Sequence, residues 1–254
     1  MSDGLTRRAA IEHMLGAWVW ASLAALARGG EALAQGDARG RAWWAQLARL
    51  CAEARDGTRE PAVWQERVEE AVRALGVAEL MASLPPERLA AAARVGPPLG
   101  ARVEVMRPPA GVAAREALSF RRRLFTVGAG RAVVPHGHVS IASAFVMLRG
   151  EGRMVHYDRS AGPPGRSLLT PTVDRGLAPG DCTTISDARD NVHWLRAGAS
   201  GALLMNVSVE VPASGRFGAA ERGRVYLDPT VAERDGGAIV APHMSYAEAT
   251  ARFG

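Results

Sequence analysis

From Ala101 to Asp228 the chain is broken by Gly and Pro into short β-forming runs, and this spacing limits its fold more than any other feature. The runs are ARVEVMR, ALSFRRRLFTV, RAVVPHGHV, SAFVMLRG, GRMVHYDR, LLTPTVDRGL, CTTIS, NVHWLRA, ALLMNVSVEV and RVYLD. Strands this short have to assemble with others before they can bury a face. Many of them at even intervals, with turn residues between, build a sandwich or a closed barrel. The sequence therefore predicts a mainly β fold, with a small β-barrel over residues 99–228.

Ahead of the Gly96-Pro97-Pro98 linker the texture is different. Over residues 38–95, Trp43, Trp44, Leu47, Leu50 and Cys51 recur at three-to-four-residue spacing, followed by Trp64, Val68, Ala71 and Leu75. That period is helical, and it predicts an N-terminal helical cap in which the tryptophans are packing anchors. Gly57 and Gly76 mark breaks, and Pro85-Pro86 starts a last short helix. The tail, residues 229–254, is less regular, with a short helix expected from Tyr246 to Arg252.

Residues 1–34 have the anatomy of an export signal: a short charged start in LTRRAAIEH, an apolar run from Met14 to Ala27, and small residues at Ala32-Leu33-Ala34. Paired Arg7 and Arg8 after Thr6 resemble a bacterial twin-arginine signal. A periplasmic, exported protein is the expectation, and a cytoplasmic one if the segment is instead a first helix of the domain. The apolar run is too short for a stable membrane span.

The 254 residues carry a formal charge of +5, yet the only basic run is Arg121, Arg122 and Arg123, without interleaved aromatics. No nucleic-acid partner is expected. There is no lysine in the chain, which excludes a Walker A loop, a PLP Schiff base and a Ser-Lys pair. Two cysteines, Cys51 and Cys182, stand in neither a CxxC nor a zinc spacing, and both read as packing residues.

Chemistry concentrates in VVPHGHVSIASAF. Residues two apart on a strand point to one side, so His136 and His138 aim both imidazoles at one point. A third, His193, lies on a later strand in RDNVHWL, and three neutral imidazoles suit a divalent first-row metal. His156, in MVHYDR, competes for the third place or serves to orient a ligand. Asp187, Asp190 and Asn191 read as a polar turn before His193, with Asp190 also able to orient an imidazole.

The setting of these histidines resembles the first motif of the cupin superfamily, G-x5-H-x-H-x3-4-E-x6-G. Here Gly130, five residues, His136-x-His138 and a Gly-closed turn at Gly150 match, and Gly180-Asp181 precedes His193. The resemblance covers roughly residues 118–210 and implies a cupin-type jelly-roll barrel with His136, His138 and His193 as metal ligands. It departs from the family where the usual ligand Glu falls on Ser143, and where Ser186 and Ala197 replace an expected Pro and Asn. Among cupins an all-histidine site looks most like the cysteine dioxygenase-like (thiol dioxygenase) branch. That resemblance implies Fe2+, with another divalent metal as the alternative, and a dioxygenase using O2 on a small thiol or acidic substrate. A cation to hold the substrate carboxylate and a hydroxyl beside the metal are then expected. Tyr157 and Arg159, two apart on one strand, are the leading candidates, with Ser143 bordering the metal. Arg107, Arg121 and Arg123 are further candidates for the carboxylate. Two other readings stand beside this one: a non-catalytic cupin of the cell envelope that binds a metal or small ligand, and a Zn, Mn or Ni cupin enzyme of another reaction type. Pairing of barrel edges into a homodimer is also implied by the family.

Overall fold

The computed structural model describes residues 30–92, 100–106, 120–217 and 223–254. Most of the expected export signal, the Gly96-Pro97-Pro98 linker and Arg107 lie outside the described residues. Ala32-Leu33-Ala34, the expected cleavage site, falls in the first turns of helix α1 (Gly30–Arg55).

Three more helices follow: α2 (Pro61–Leu75), α3 (Val77–Ala82) and α4 (Pro86–Ala92). Gly76, at φ 81°, separates α2 from α3, a conformation open to glycine at no steric cost. The tryptophans anchor the unit. Trp43 and Trp44 meet edge to face at 4.9 Å, and their Nε1 groups donate to Ala71 O (2.9 Å) and Ser83 Oγ (3.0 Å). No described helix is long and apolar enough to cross a membrane.

The strands are β1 (Ala101–Val105), β2 (Arg121–Val127), β3 (Ala132–His138), β4 (Ile141–Ala161), β5 (Arg166–Leu177), β6 (Cys182–Ile185), β7 (Val192–Glu210), β8 (Arg224–Leu227), β9 (Arg234–Asp235) and β10 (Ala238–Met244). A closing helix, α5 (Tyr246–Phe253), starts at a capping box formed by Ser245 and Glu248.

Strands β4 and β7 run antiparallel along most of their length and organise everything else. SAFVMLRG and GRMVHYDR, read as two strands with a turn at Gly150, form one continuous strand, and NVHWLRA and ALLMNVSVEV do the same. The glycines bend these strands without ending them. Gly150 (φ 80°) and Gly201 (φ 73°) face each other so closely that a Cβ on Gly150 would lie 2.0 Å from Gly201 O. The pairing register shifts between Met147 and Arg149 and again between Gly150 and Gly152, which is the signature of bulges.

On one side of the bend, β4 and β7 join β1, β2 and β6 in the order β1-β2-β7-β4-β6. On the other side the second half of β4 and the first half of β7 close a ring through β3, β8, β10 and β5. The result is a mainly β fold, a closed antiparallel barrel with an N-terminal helical cap. Strand β10, from the segment read as an irregular tail, bridges β5 and β8 and so completes the ring.

Alternation along the bent ribbon divides the interior. Ala142, Ala144, Val146 and Leu148 of β4, with Leu203, Met205, Val207 and Val209 of β7, face the helical cap in one apolar core. Residues of opposite parity, Phe145, Met147 and Leu204, face into the barrel, and past the register shift Leu195 and Met154 join them. Gln65 of α2 pins the cap to β6: its Nε2 donates to Thr184 Oγ1 (3.3 Å) and its Oε1 accepts from Ser186 Oγ (2.8 Å).

Candidate metal centre

Strand β3 carries His136 and His138 on its inner face, and β7 places His193 directly opposite His136 in the ladder. One nitrogen from each of the three imidazoles lies within 4.8 Å of the others, and no Asp or Glu belongs to this cluster among the described residues. The ring of His193 lies 4.3 Å from that of His136 and 5.5 Å from that of His138. Between the two β3 histidines only Gly fits. A Cβ at Gly137 would sit 2.7 Å from Asn191 Oδ1 and 3.0 Å from the Val192 side chain.

Burial controls the protonation of all three. It pushes the His136 pKa down to about 4 and holds those of His138 and His193 well below the ordinary histidine range. The rings are therefore neutral at pH 7, the form that binds metals. His136 Nδ1 lies 2.8 Å from Val134 O, and since a carbonyl only accepts, that nitrogen carries the proton and Nε2 presents a lone pair. Nδ1 of His138 and both nitrogens of His193 are buried with no hydrogen-bond partner among the described residues. Leaving such groups unpaired costs about 1–3 kcal/mol each, a cost that a divalent cation between the rings would remove for one nitrogen of each ring. The donor set fits a first-row metal.

His136 and His138 form part of the wall of a cavity of about 240 Å³, and His193 lies behind them against Phe145 and Leu195. Ser143, where the family pattern has Glu, also lines this cavity. Its Oγ accepts from Asn206 Nδ2 (2.7 Å) and donates to Val207 O (3.1 Å), so it is tied to the neighbouring strand.

Other expected residues lie elsewhere. Tyr157 shares the outward face of β4 with Val155 and packs in a core with Leu169, Leu227 and Ile239, on the far side of the strand from the histidines. The alternation is fixed by Met154, which belongs to the inner core and so claims the inward face for the even-numbered residues of this stretch. Arg159 follows Tyr157 outward. Its guanidinium lies 3.9 Å over the Phe217 ring, and its Nε donates to Asn191 Oδ1 (3.1 Å). Asn191 Nδ2 in turn donates to His138 O (2.7 Å), so Arg159 braces the backbone of the histidine strand from outside.

His156 points inward but stands apart, 6.2 Å from the His193 ring, with its Nε2 at 3.1 Å from Thr183 Oγ1. Asp190 comes within 4.0 Å of His156 and accepts from Thr172, which makes it a partner of that histidine and of the turn. Both thiols are held in the protonated form by burial, Cys51 at a pKa of about 12 and Cys182 higher still.

The cavity also holds polar residues that no sequence motif marks, among them Arg224 and Tyr226 of β8 and Asn206 and Ser208 of β7. Register brings them in. Tyr226 pairs with His136 and Arg224 with His138, while Arg123 pairs with Asn206 and Arg121 with Ser208. Directly paired residues share a face, so RVYLD supplies a cation and a phenol beside the two histidines. The Tyr226 ring lies 5.9 Å from that of His136. Arg121 and Arg123, named as candidates for the carboxylate, line the cavity, and Arg121 is ion-paired to Glu210.

No family profile and no curated protein matches the chain in sequence. Among solved structures it is similar to the coconut allergen cocosin, at 16% identity over 47% of this chain and 29% of that one, with a TM-score of 0.33. An oxalate decarboxylase of Bacillus subtilis gives 17% identity over 50% of this chain and 29% of that one, with a TM-score of 0.33. KdgF from Halomonas sp. gives 14% identity over 44% of this chain and 81% of that one, with a TM-score of 0.31. The chain spans less than a third of the first two. The fold rests on the strand pairings given above.

Proposed function

We propose that the barrel is a metal-dependent enzyme, a mononuclear non-haem iron dioxygenase acting on a small acidic substrate. The observation that carries this reading is the cluster of three neutral imidazoles, without a carboxylate, at the wall of a cavity that also holds arginines. His136, His138 and His193 would hold the metal and leave it its full double charge, since none of the three is an anion. Ferrous iron held there would supply the activation of dioxygen. The chain's own residues do the rest. Phe125, Phe145 and Val133 keep one side of the cavity apolar, and the arginines attract the anion. Tyr226, with its ring near His136, takes the part of the hydroxyl group beside the metal.

The test is anaerobic loading with Fe2+ followed by oxygen-electrode measurements with small carboxylic and thiol acids. Oxygen uptake that depends on both iron and one of these acids is expected. His136→Ala should lose the metal together with the uptake. One zinc per chain in aerobically purified protein, with no uptake after iron loading, would overturn the oxygenase and leave a metal-dependent enzyme of another reaction type. The twin-arginine-like start adds a periplasmic location to the proposal, which fails if fractionation finds the uncleaved chain in the cytoplasm.

A further inference from the structure

The cavity beside the histidines has a charge balance of its own. Arg123, half-buried on β2, and Arg224, exposed on β8, both line it, and neither has a hydrogen-bond or ion-pair partner among the described residues. Arg121, in the same wall, is ion-paired to Glu210. No Asp or Glu lines the cavity among the described residues. A second observation points to a ligand: Ser208 Oγ, on a residue only 6% exposed, lines the same cavity with no partner. Between these polar groups the wall is hydrocarbon, from Phe125, Phe145, Val133 and Ile141. Burial, together with the neighbouring cations Arg121 and Arg224, presses the Arg123 pKa below its usual value, so an anion placed there relieves a strain already present.

We propose that this cavity takes a small dicarboxylate with a short hydrocarbon spacer, and that Arg123 and Arg224 are its specificity-determining residues. The proposal rests on reading the cavity as the substrate site of the metal centre. Two unpartnered guanidiniums call for two negative charges, and planar carboxylates match their fork of donors. At about 240 Å³ the cavity is below the range of drug-sized pockets and fits a chain of a few carbons. An amino-thiol such as cysteine carries an ammonium group, and no described carboxylate of the cavity can receive it. The site therefore selects against the zwitterions that the thiol dioxygenase resemblance suggests.

Calorimetric titration of the full chain, metal-free and iron-loaded under anaerobic conditions, tests this with four probes: succinate, butyrate, cysteine and inorganic phosphate. Succinate should bind at least about tenfold more tightly than each of the others, because each of them leaves a guanidinium unsatisfied or strands a group of the wrong charge. Arg123→Gln and Arg224→Gln should each weaken succinate by about tenfold, leave butyrate within about threefold, and keep the metal content of the parent. Equal binding of succinate and either butyrate or cysteine overturns the proposal, as does unchanged succinate affinity in both variants. Phosphate binding as tightly as succinate overturns the dicarboxylate in favour of a compact anion. If a variant fails to fold, the ranking of the four probes on the parent decides. Succinate binding without oxygen uptake leaves this proposal standing and removes only the oxygenase.

Discussion

The two faces of the β4–β7 ribbon are built from alternating residues of the same strands, and they have become opposite environments. Toward the helices, Ala142, Ala144, Val146, Met205, Val207 and Val209 make a floor without a polar side chain. Toward the barrel, Ser143, Asn206 and Ser208 line a cavity, and His193 completes a cluster of imidazoles. A period of two keeps these environments one residue apart. The lesson is that in this fold stability and chemistry are separated by parity along the strand and very little by distance.

The largest effect expected from breaking that separation is Val146→Asp, which puts an unpaired charge into the apolar floor. About 4 kcal/mol of stability should be lost, measured by urea unfolding. Gly150→Ala strikes the bend that both faces share. A Cβ there meets Gly201 O at 2.0 Å in a positive-φ conformation, so about 3 kcal/mol is expected to be lost from both halves of the ribbon together.

A pH titration isolates the inner face, because the floor carries no titratable side chain. An ordinary histidine pKa of 6.5 falls on folding to about 4 for His136 and about 3 for His156. Below pH 6.5 the unfolded chain binds protons that the folded one refuses, so stability falls as pH falls and is constant for these groups above that value. The thermal midpoint of the metal-free chain should drop steadily from pH 6.5 toward 4. Burial raises the pKa values of Asp187 and Asp190, which acts in the opposite sense, so a flat profile over that window would show that the inner histidines do not outweigh them.

The smallest effect is expected from Ser143→Ala, one residue along from the floor. It removes two hydrogen bonds at a cost of about 1 kcal/mol and should leave metal stoichiometry unchanged. Loss of metal in this variant would place Ser143 among the ligands.

Alternation explains what was legible in the sequence. His136 and His138 declare a shared face locally, and the helical period around Trp43, Trp44 and Trp64 declares a packed cap. Arg224 and Tyr226 carry the same i, i+2 signal in RVYLD, but their partners are set by ladder register with β3, which no local pattern encodes. The face of Tyr157 is hidden from the sequence for a related reason: both parities of its strand carry large side chains, and only the packing of Met154 against the inner core resolves them. Gly150 looked like the end of a strand because a glycine that bends a ladder and a glycine that closes a turn are the same letter. The part played by β10 was hidden by Pro242, which suggests an irregular tail although it occupies a strand position that borders β5.

The facing glycines also couple events that would otherwise be separate. Because β4 and β7 each pass as one strand from the floor of the cap to the wall of the histidines, with their pairing resumed on both sides of the bulge, the two regions are expected to open as one cooperative unit. Amide exchange should then be slow and matched on both sides of Gly150, and occupancy of the imidazole cluster should slow exchange at Val207, under the helices, as much as at Val192.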